Sequence, residues 1–236
     1  MNINDIKPLI LIDKPFGITS MDVVRALRKI LKPYNITKIG YAGTLDPCAT
    51  GLLIVGIGKS GTKQLTALTE KDKEYICEID LLKNSYSGDM QDFLQEYEMK
   101  TKVPNDMVIP TIDDINAIIK NKFLGKIRQT PPTLSAIKIN GKKACDLVRK
   151  NIEFEMKERT ITIYSIDIIS YDFPVLKLDI KCSKGTYIRA LGRDIGKELG
   201  LWGTLLFLRR IKCGDYSIED AMSLNKVKVS DLIVLE

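Results

Sequence analysis

Hydrophobic residues recur in this chain at two spacings, one helical and one alternating, and the two take turns along its length. Between Thr19 and Lys32, the residues Val23, Ala26, Leu27, Ile30 and Leu31 fall at helical spacing, a Thr19–Asp22 pair reads as a capping box, and Pro33 stops the run. Leu52 to Ile57 is a continuous apolar run of strand length. Tyr75, Cys77 and Ile79 alternate with Ile76, Glu78 and Asp80, as in a strand with two unlike faces. Thr111 opens a short helix with Ile112, Ile115, Ile118 and Ile119 inward. Ile161 and Ile163, then Ile166 and Ile168, describe a strand with a slip in phase, and Leu176, Leu178, Ile180 and Cys182 alternate cleanly. Tyr187 to Leu199 is helical in period and closes at Gly200. Residues 84–111 are polar and irregular and read as a surface excursion. Half-polar strands outnumber helices, which predicts an α+β protein with a mixed, mostly antiparallel sheet and flanking helices. With no repeat and no low-complexity linker, a single domain over residues 1–236 is expected.

Composition narrows the chemistry by one absence. The chain has no histidine, so a Ser-His-Asp triad, a Cys-His pair and a His-ligated zinc are all excluded. Carboxylates, Lys, Arg, Tyr, Ser, Thr and Cys remain. Five scattered cysteines without a C-x-x-C pair predict a reducing compartment, and the cytoplasm is expected. The apolar run Leu9–Ile12 is too short for a signal peptide, and no stretch is long enough to span a membrane. The net charge is +6, distributed as +4 over residues 1–60, −5 over 61–120, +4 over 121–180 and +3 over 181–236. Basic stretches on both sides of an acidic one are compatible with a nucleic-acid partner.

Two glycine motifs compete for the site. Gly56-Ile57-Gly58-Lys59-Ser60-Gly61 has the outline of a dinucleotide fingerprint, with Asp80 about twenty residues on. The helix it needs would run through Thr69–Glu74, which is almost entirely polar, and no βαβ alternation follows. A Walker loop would require glycine at position 53, where Leu53 stands. The denser stretch is Gly40-Tyr41-Ala42-Gly43-Thr44-Leu45-Asp46-Pro47-Cys48-Ala49-Thr50-Gly51. Pro47 holds Asp46 out of the helical region, on a turn or extended backbone. Asp46 is then either a turn-forming residue or a catalytic carboxylate.

The segment Gly43-Thr44-Leu45-Asp46-Pro47-x-Ala49-Thr50-Gly51-Leu52-Leu53 resembles the signature of the TruB family of tRNA pseudouridine synthases. Four more segments resemble that family in its order. They are Asp13-Lys14-Pro15-x-Gly17-x-Thr19-Ser20; Lys73-Glu74-Tyr75; Gln129-x-Pro131-Pro132-x-x-Ser135-Ala136-x-Lys138-x-x-Gly141-Lys142-Lys143; and Cys182 to Arg189 with Asp194-Ile195-Gly196 and Leu208-Arg209-Arg210. The likeness implies a catalytic pseudouridine synthase domain and isomerisation of uridine at T-loop position 55 of tRNA. It implies base flipping and neither cofactor nor metal. Asp46 would be the nucleophile, at the uracil ring or at the ribose C1′, with Arg189 as its charge partner. Tyr75 would stack on the extruded base and assist proton removal from C5; Tyr41, Tyr187 and Leu208 would line the pocket. Lys138, Lys142, Lys143, Lys184, Arg209 and Arg210 would meet RNA phosphates.

The chain departs from the family pattern at Tyr41, where histidine is usual, and at Ser85-Tyr86-Ser87, where Thr-Asp-Thr is usual. It ends at Glu236, where many bacterial members continue into an RNA-binding domain, so a short form is expected. The expected partner is the tRNA T-arm, with no membrane, no obligate protein partner and a monomeric state. The alternative function is a catalytically silent tRNA-binding or tRNA-folding module.

Overall fold

The computed structural model describes residues 6–90, 100–101 and 108–232. Most of the expected 84–111 excursion, residues 91–99 and 102–107, lies outside the described residues. In chain order the elements are β1 (Leu9–Lys14), α1 (Ser20–Leu31), β2 (Ile39–Ala42), β3 (Ala49–Ile57), α2 (Gly58–Thr69), β4 (Lys73–Asp80), β5 (Lys83–Asn84) and β6 (Lys100–Thr101). There follow α3 (Ile112–Ile118), β7 (Gly125–Gln129), β8 (Lys138–Ile139), β9 (Lys142–Lys143), α4 (Ala144–Arg149), β10 (Arg159–Asp172) and β11 (Val175–Cys182). The last are α5 (Ile188–Glu198), β12 (Thr204–Cys213), β13 (Tyr216–Ser217) and β14 (Met222–Ser223). Two compact units result, Met1–Ile76 with Leu208–Glu236, and Cys77–Phe207.

In the first unit β3 is central. It pairs antiparallel with β1 and β2 and parallel with β12, while β14 lies parallel on β1. Its unbroken apolar run is explained by burial on both faces. Leu53, Val55 and Ile57 cluster with Ile10, Ile12 and the α1 residues Val23, Val24, Leu27 and Leu31. Leu52 and Ile54 cluster instead with Ala42, Leu68 and Cys213. Each fully buried aliphatic side chain contributes about 1.5–3 kcal/mol. Helix α1 starts where the capping box puts it. Thr19 Oγ1 accepts from the Asp22 N–H at 3.1 Å, and the Asp22 carboxylate accepts from the Thr19 N–H at 2.9 Å. The Thr19 hydroxyl and backbone N–H, helped by Arg25, draw the Asp22 carboxyl down to about 2.

In the second unit β10 pairs antiparallel with β11 and β7. The phase slip is a break in register between Ile163 and Ser165, and a second break falls between Ile168 and Ser170. Leu176, Leu178, Ile180 and Cys182 are fully buried along β11. Helix α5 turns Ile188, Leu191 and Ile195 inward and stops before Gly200, whose φ is +72°. Both units combine strands and flanking helices with mostly antiparallel pairing, so the α+β expectation holds. Among the described residues no helix is long and apolar enough to cross a membrane.

Two local expectations are corrected. Ile112 occupies the first turn of the short helix α3 and is exposed, while Ile115 and Ile119 face inward. A helix also does follow the 56–61 glycines, as α2, rather than failing to form. It is not a phosphate cradle. A Cβ on Gly61 would lie 1.9 Å from the Pro8 carbonyl oxygen, so this glycine exists for backbone contact. The Ile57 and Gly58 N–H groups donate to Pro8 O and Lys38 O, both at 2.8 Å, which uses the donors a phosphate would need.

Candidate active site

Asp46 lies half-buried on the Gly43–Cys48 connection between β2 and β3, on a turn closed by the Ala49 N–H donating to Asp46 O at 3.0 Å. The residues on either side of it are held by the N-terminal motif. Ser20 Oγ donates to Leu45 O and accepts from the Leu45 N–H, both at 2.9 Å. The Gly17 N–H donates to Pro47 O at 2.9 Å. Lys14 is wholly buried, and its ammonium donates to Ile18 O at 2.7 Å, Pro15 O at 2.9 Å and Pro47 O at 3.3 Å. Burial pushes the Lys14 amine down to about 8, against the opposing pull of the Asp46, Cys48 and Asp22 charges. A cation is thus built in beneath the candidate nucleophile.

β12 supports the same loop from its other end. Arg210 is 1% exposed, with Nε donating to Leu52 O at 2.8 Å and Nη2 to Gly43 O at 2.9 Å. This corrects the expectation that Arg210 meets phosphate: the side chain is buried and donates to backbone carbonyls. Its neighbour Arg209, about one-third exposed, makes a bidentate pair with Asp13 at 3.0 and 2.8 Å. Consecutive strand residues point to opposite faces, so two adjacent arginines could not both have met one RNA strand. Leu208 sits directly opposite Ala49, and Thr50 Oγ1 donates to Leu208 O at 3.3 Å, which places Leu208 beside the exit of the Asp46 loop.

Tyr75 is buried on β4. Two residues before it, on the same face, the buried Lys73 donates to Thr69 O at 2.6 Å and to Lys71 O, closing the carboxyl end of α2. That explains the lysine of the Lys-x-Tyr motif. Tyr41 is half-buried and packs against the cluster around α1.

The second unit carries Tyr187 and Arg189 at the start of α5. The buried Arg189 donates to Ser87 O at 2.6 Å and Leu134 O at 2.9 Å, and its Nε lies 3.6 Å from the buried Asp89 carboxylate. Ser87 Oγ in turn donates to Asp89 Oδ1 at 3.0 Å. Ser87 and Asp89 are therefore not part of a surface excursion. The Tyr187 backbone is clamped by Gln129, whose Oε1 accepts from the Tyr187 N–H at 2.9 Å while its Nε2 donates to Tyr187 O at 3.1 Å.

The basic residues gather on a small hairpin. Lys138 stands opposite Lys143 and Ile139 opposite Lys142, around a turn in which Asn140 (φ 49°) and Gly141 (φ 82°) are both left-handed. All three lysines are exposed. Like charges directly opposite each other are unfavourable unless an anion lies over them. Lys184 is exposed on the turn ahead of α5.

Lys14, Ser20, Asp89 and Gln129 were not among the expected site residues. Lys14 had a signal: Ile10, Ile12 and Lys14 share one face of β1, and that face is the buried one. Asp89 had none in its local pattern.

A carboxylate on a braced turn, on a histidine-free chain with a cationic hairpin, is the equipment of an enzyme acting on nucleic acid. Comparison with known proteins sharpens that class. Residues 28–188 match the model of the TruB family pseudouridylate synthase N-terminal domain, and the chain belongs to that family. It is 41% identical over 231 residues to a tRNA pseudouridine synthase B of Endomicrobium trichonymphae, covering 98% of this chain and 95% of that one. It is 43% identical over 211 residues to a tRNA pseudouridine synthase B of Fusobacterium nucleatum, covering 89% and 69%. Among solved structures it is similar to the crystal structure of a Cbf5-Nop10-Gar1 complex, at 29% identity and a TM-score of 0.69. That match covers 95% of this chain and 55% of the other, so the chain spans about half the length of that protein.

Proposed function

We propose that this protein isomerises uridine to pseudouridine at position 55 in the T-loop of tRNA, with Asp46 as nucleophile. The observation that carries the reading is the bracing of the Asp46 turn by Lys14, Gly17, Ser20 and Arg210. A carboxylate that must meet a flipped base in one geometry needs such fixation. The tRNA substrate follows from the tRNA pseudouridine synthase B relatives.

The reaction breaks the N1–C1′ bond and forms a C5–C1′ bond. The C5 proton leaves, N1 regains one, and the reaction is redox-neutral with no atom gained or lost. Asp46 attacks the uracil ring or the ribose C1′, beside the Lys14 ammonium, which donates to Pro47 O at 3.3 Å. Arg189 takes the role of its charge partner. Tyr75 stacks on the base and assists C5 deprotonation, with Tyr41, Tyr187 and Leu208 against the same base. Lys138, Lys142, Lys143, Lys184 and Arg209 meet phosphates. The two units act as one catalytic domain, on a monomer in the cytoplasm without an obligate protein partner or cofactor.

The test is position mapping on an unmodified tRNA transcript after carbodiimide treatment and primer extension. A single new stop reporting position 55 is expected. Pseudouridine elsewhere would remove the T-loop assignment, and tRNA binding without product would leave a tRNA-folding module.

A further inference from the structure

The second unit holds a cleft in which Arg189, on one wall, is the residue that carries a role above. Its volume is about 560 Å³, within the range of small-ligand sites. Its walls come from Ser85–Gly88, from Thr130–Thr133 and from the extended segment around Phe154–Glu158, with Arg193 of α5 below. Building on the tRNA reading, we propose that this cleft binds a second nucleobase of the RNA substrate, stacked on Tyr86 and hydrogen-bonded through an amino or imino group to Glu155.

Its chemistry selects a flat, uncharged ligand with N–H donors. Tyr86 is 60% exposed, and it lines the cleft together with Phe154, Pro131 and Pro132, so the apolar part of the lining is aromatic or flat. The cations are already engaged. Arg193 donates to Asp194 and to Thr130 O at 2.9 and 3.0 Å, and Arg189 is committed to Ser87 O and Leu134 O. Glu158 is paired with Arg128 at 2.7 Å, so Glu155 carries the negative charge at the wall, which disfavours a phosphate and suits an N–H donor. Unstacked RNA bases are recognised by this pairing of aromatic faces with edge hydrogen bonds.

Position favours the same ligand. The lysine hairpin grows out of Thr130–Thr133 and returns through Phe154–Glu158, so its two roots are two walls of the cleft. RNA phosphates on Lys138, Lys142 and Lys143 would bring neighbouring nucleotides to its mouth. Tyr86 also stands where the family pattern has an aspartate, so the stacking face is a property of this chain.

The test uses the full chain, a T-arm hairpin RNA labelled at uridine C5, and versions of it with one abasic loop position each, at one salt concentration. Base–aromatic stacking is worth about 1–3 kcal/mol, so Tyr86→Ala should weaken hairpin binding roughly 5- to 150-fold, with turnover at saturating RNA unchanged. Tyr86→Phe should bind like wild type. One abasic position should weaken wild type by a similar factor and add nothing to Tyr86→Ala; Glu155→Leu, which removes the acceptor, should weaken the intact hairpin and add nothing on that abasic RNA. Hairpin affinity of Tyr86→Ala within about twofold of wild type, or an equal loss on every abasic RNA, would overturn the cleft. Tritium release by the wild type separates the two readings: its absence overturns the synthase and the cleft with it, whereas release with an indifferent Tyr86→Ala overturns the cleft alone.

Discussion

Arg210→Ala separates a brace from an RNA contact. The guanidinium is buried and bonded to Leu52 O and Gly43 O at 2.8 and 2.9 Å. Truncation strands two buried carbonyls, at about 1–3 kcal/mol each, and leaves a cavity. The stranded carbonyls and the cavity together cost about 3–5 kcal/mol. For a chain of this size that corresponds to a fall in melting temperature of roughly 6–20 °C. Because Gly43 opens the Asp46 loop, turnover should fall at temperatures where the variant is still folded. The salt dependence of tRNA binding should not change, since no phosphate contact is lost. Lys142→Ala is the control: exposed on the hairpin, it should melt like wild type while the log–log salt slope drops by roughly 0.7–0.9. Melting by circular dichroism and filter binding at several salt concentrations measure both. An Arg210→Ala protein with wild-type melting and a reduced salt slope would refute the buried position of Arg210.

Lys14 supplies a pH prediction. The folded protein loses the Lys14 proton near pH 8, whereas an unfolded chain keeps it to about 10.4. Between those values the unfolded state binds more protons, so the contribution of Lys14 to stability rises with pH. Turnover should instead fall above about pH 8 as Asp46 loses its cationic neighbour, and Lys14→Met should lack that limb in a pH–rate profile. Ser20→Ala removes both hydrogen bonds to Leu45 and should lower kcat more than RNA affinity in steady-state assays. Gln129→Ala strands the Tyr187 N–H and carbonyl and should cost about 1–3 kcal/mol in chemical denaturation, and Gln129→Glu, which buries a carboxylate against the Tyr187 carbonyl oxygen, should cost at least as much.

What the sequence made legible were features written locally. The capping box at Thr19–Asp22 depends on residues three apart and forms as spaced, and Thr111, read as the residue that opens a short helix, does cap it, with Asp114 completing a second box. The stop at Gly200 and the slip after Ile163 are likewise local facts of backbone and alternation. Helix α2 was missed because its packing rests on few apolar residues, Leu65 and Leu68, and on glycines that touch backbone rather than side chains. Arg210 was misjudged because charge argues for exposure, and only the return of β12 beside β3 supplies the carbonyls that satisfy it. Asp89 is tied to Arg189 one hundred residues away, a pairing that no window of sequence contains. The motifs named the braced loop, but what braces it became visible only once the N-terminal motif and β12 were seen to converge on Gly43, Leu45 and Pro47.

The most direct test of the account is tritium release from tRNA labelled at uridine C5, under single-turnover conditions, for wild type and Asp46→Asn. The wild type should release tritium stoichiometrically with tRNA. Asp46→Asn should bind tRNA and melt as the wild type does, yet release none, because the amide is not a competent nucleophile. Release by Asp46→Asn within about tenfold of the wild-type rate, a difference of only about 1.4 kcal/mol in barrier, would contradict the central claim that the braced carboxylate is the nucleophile.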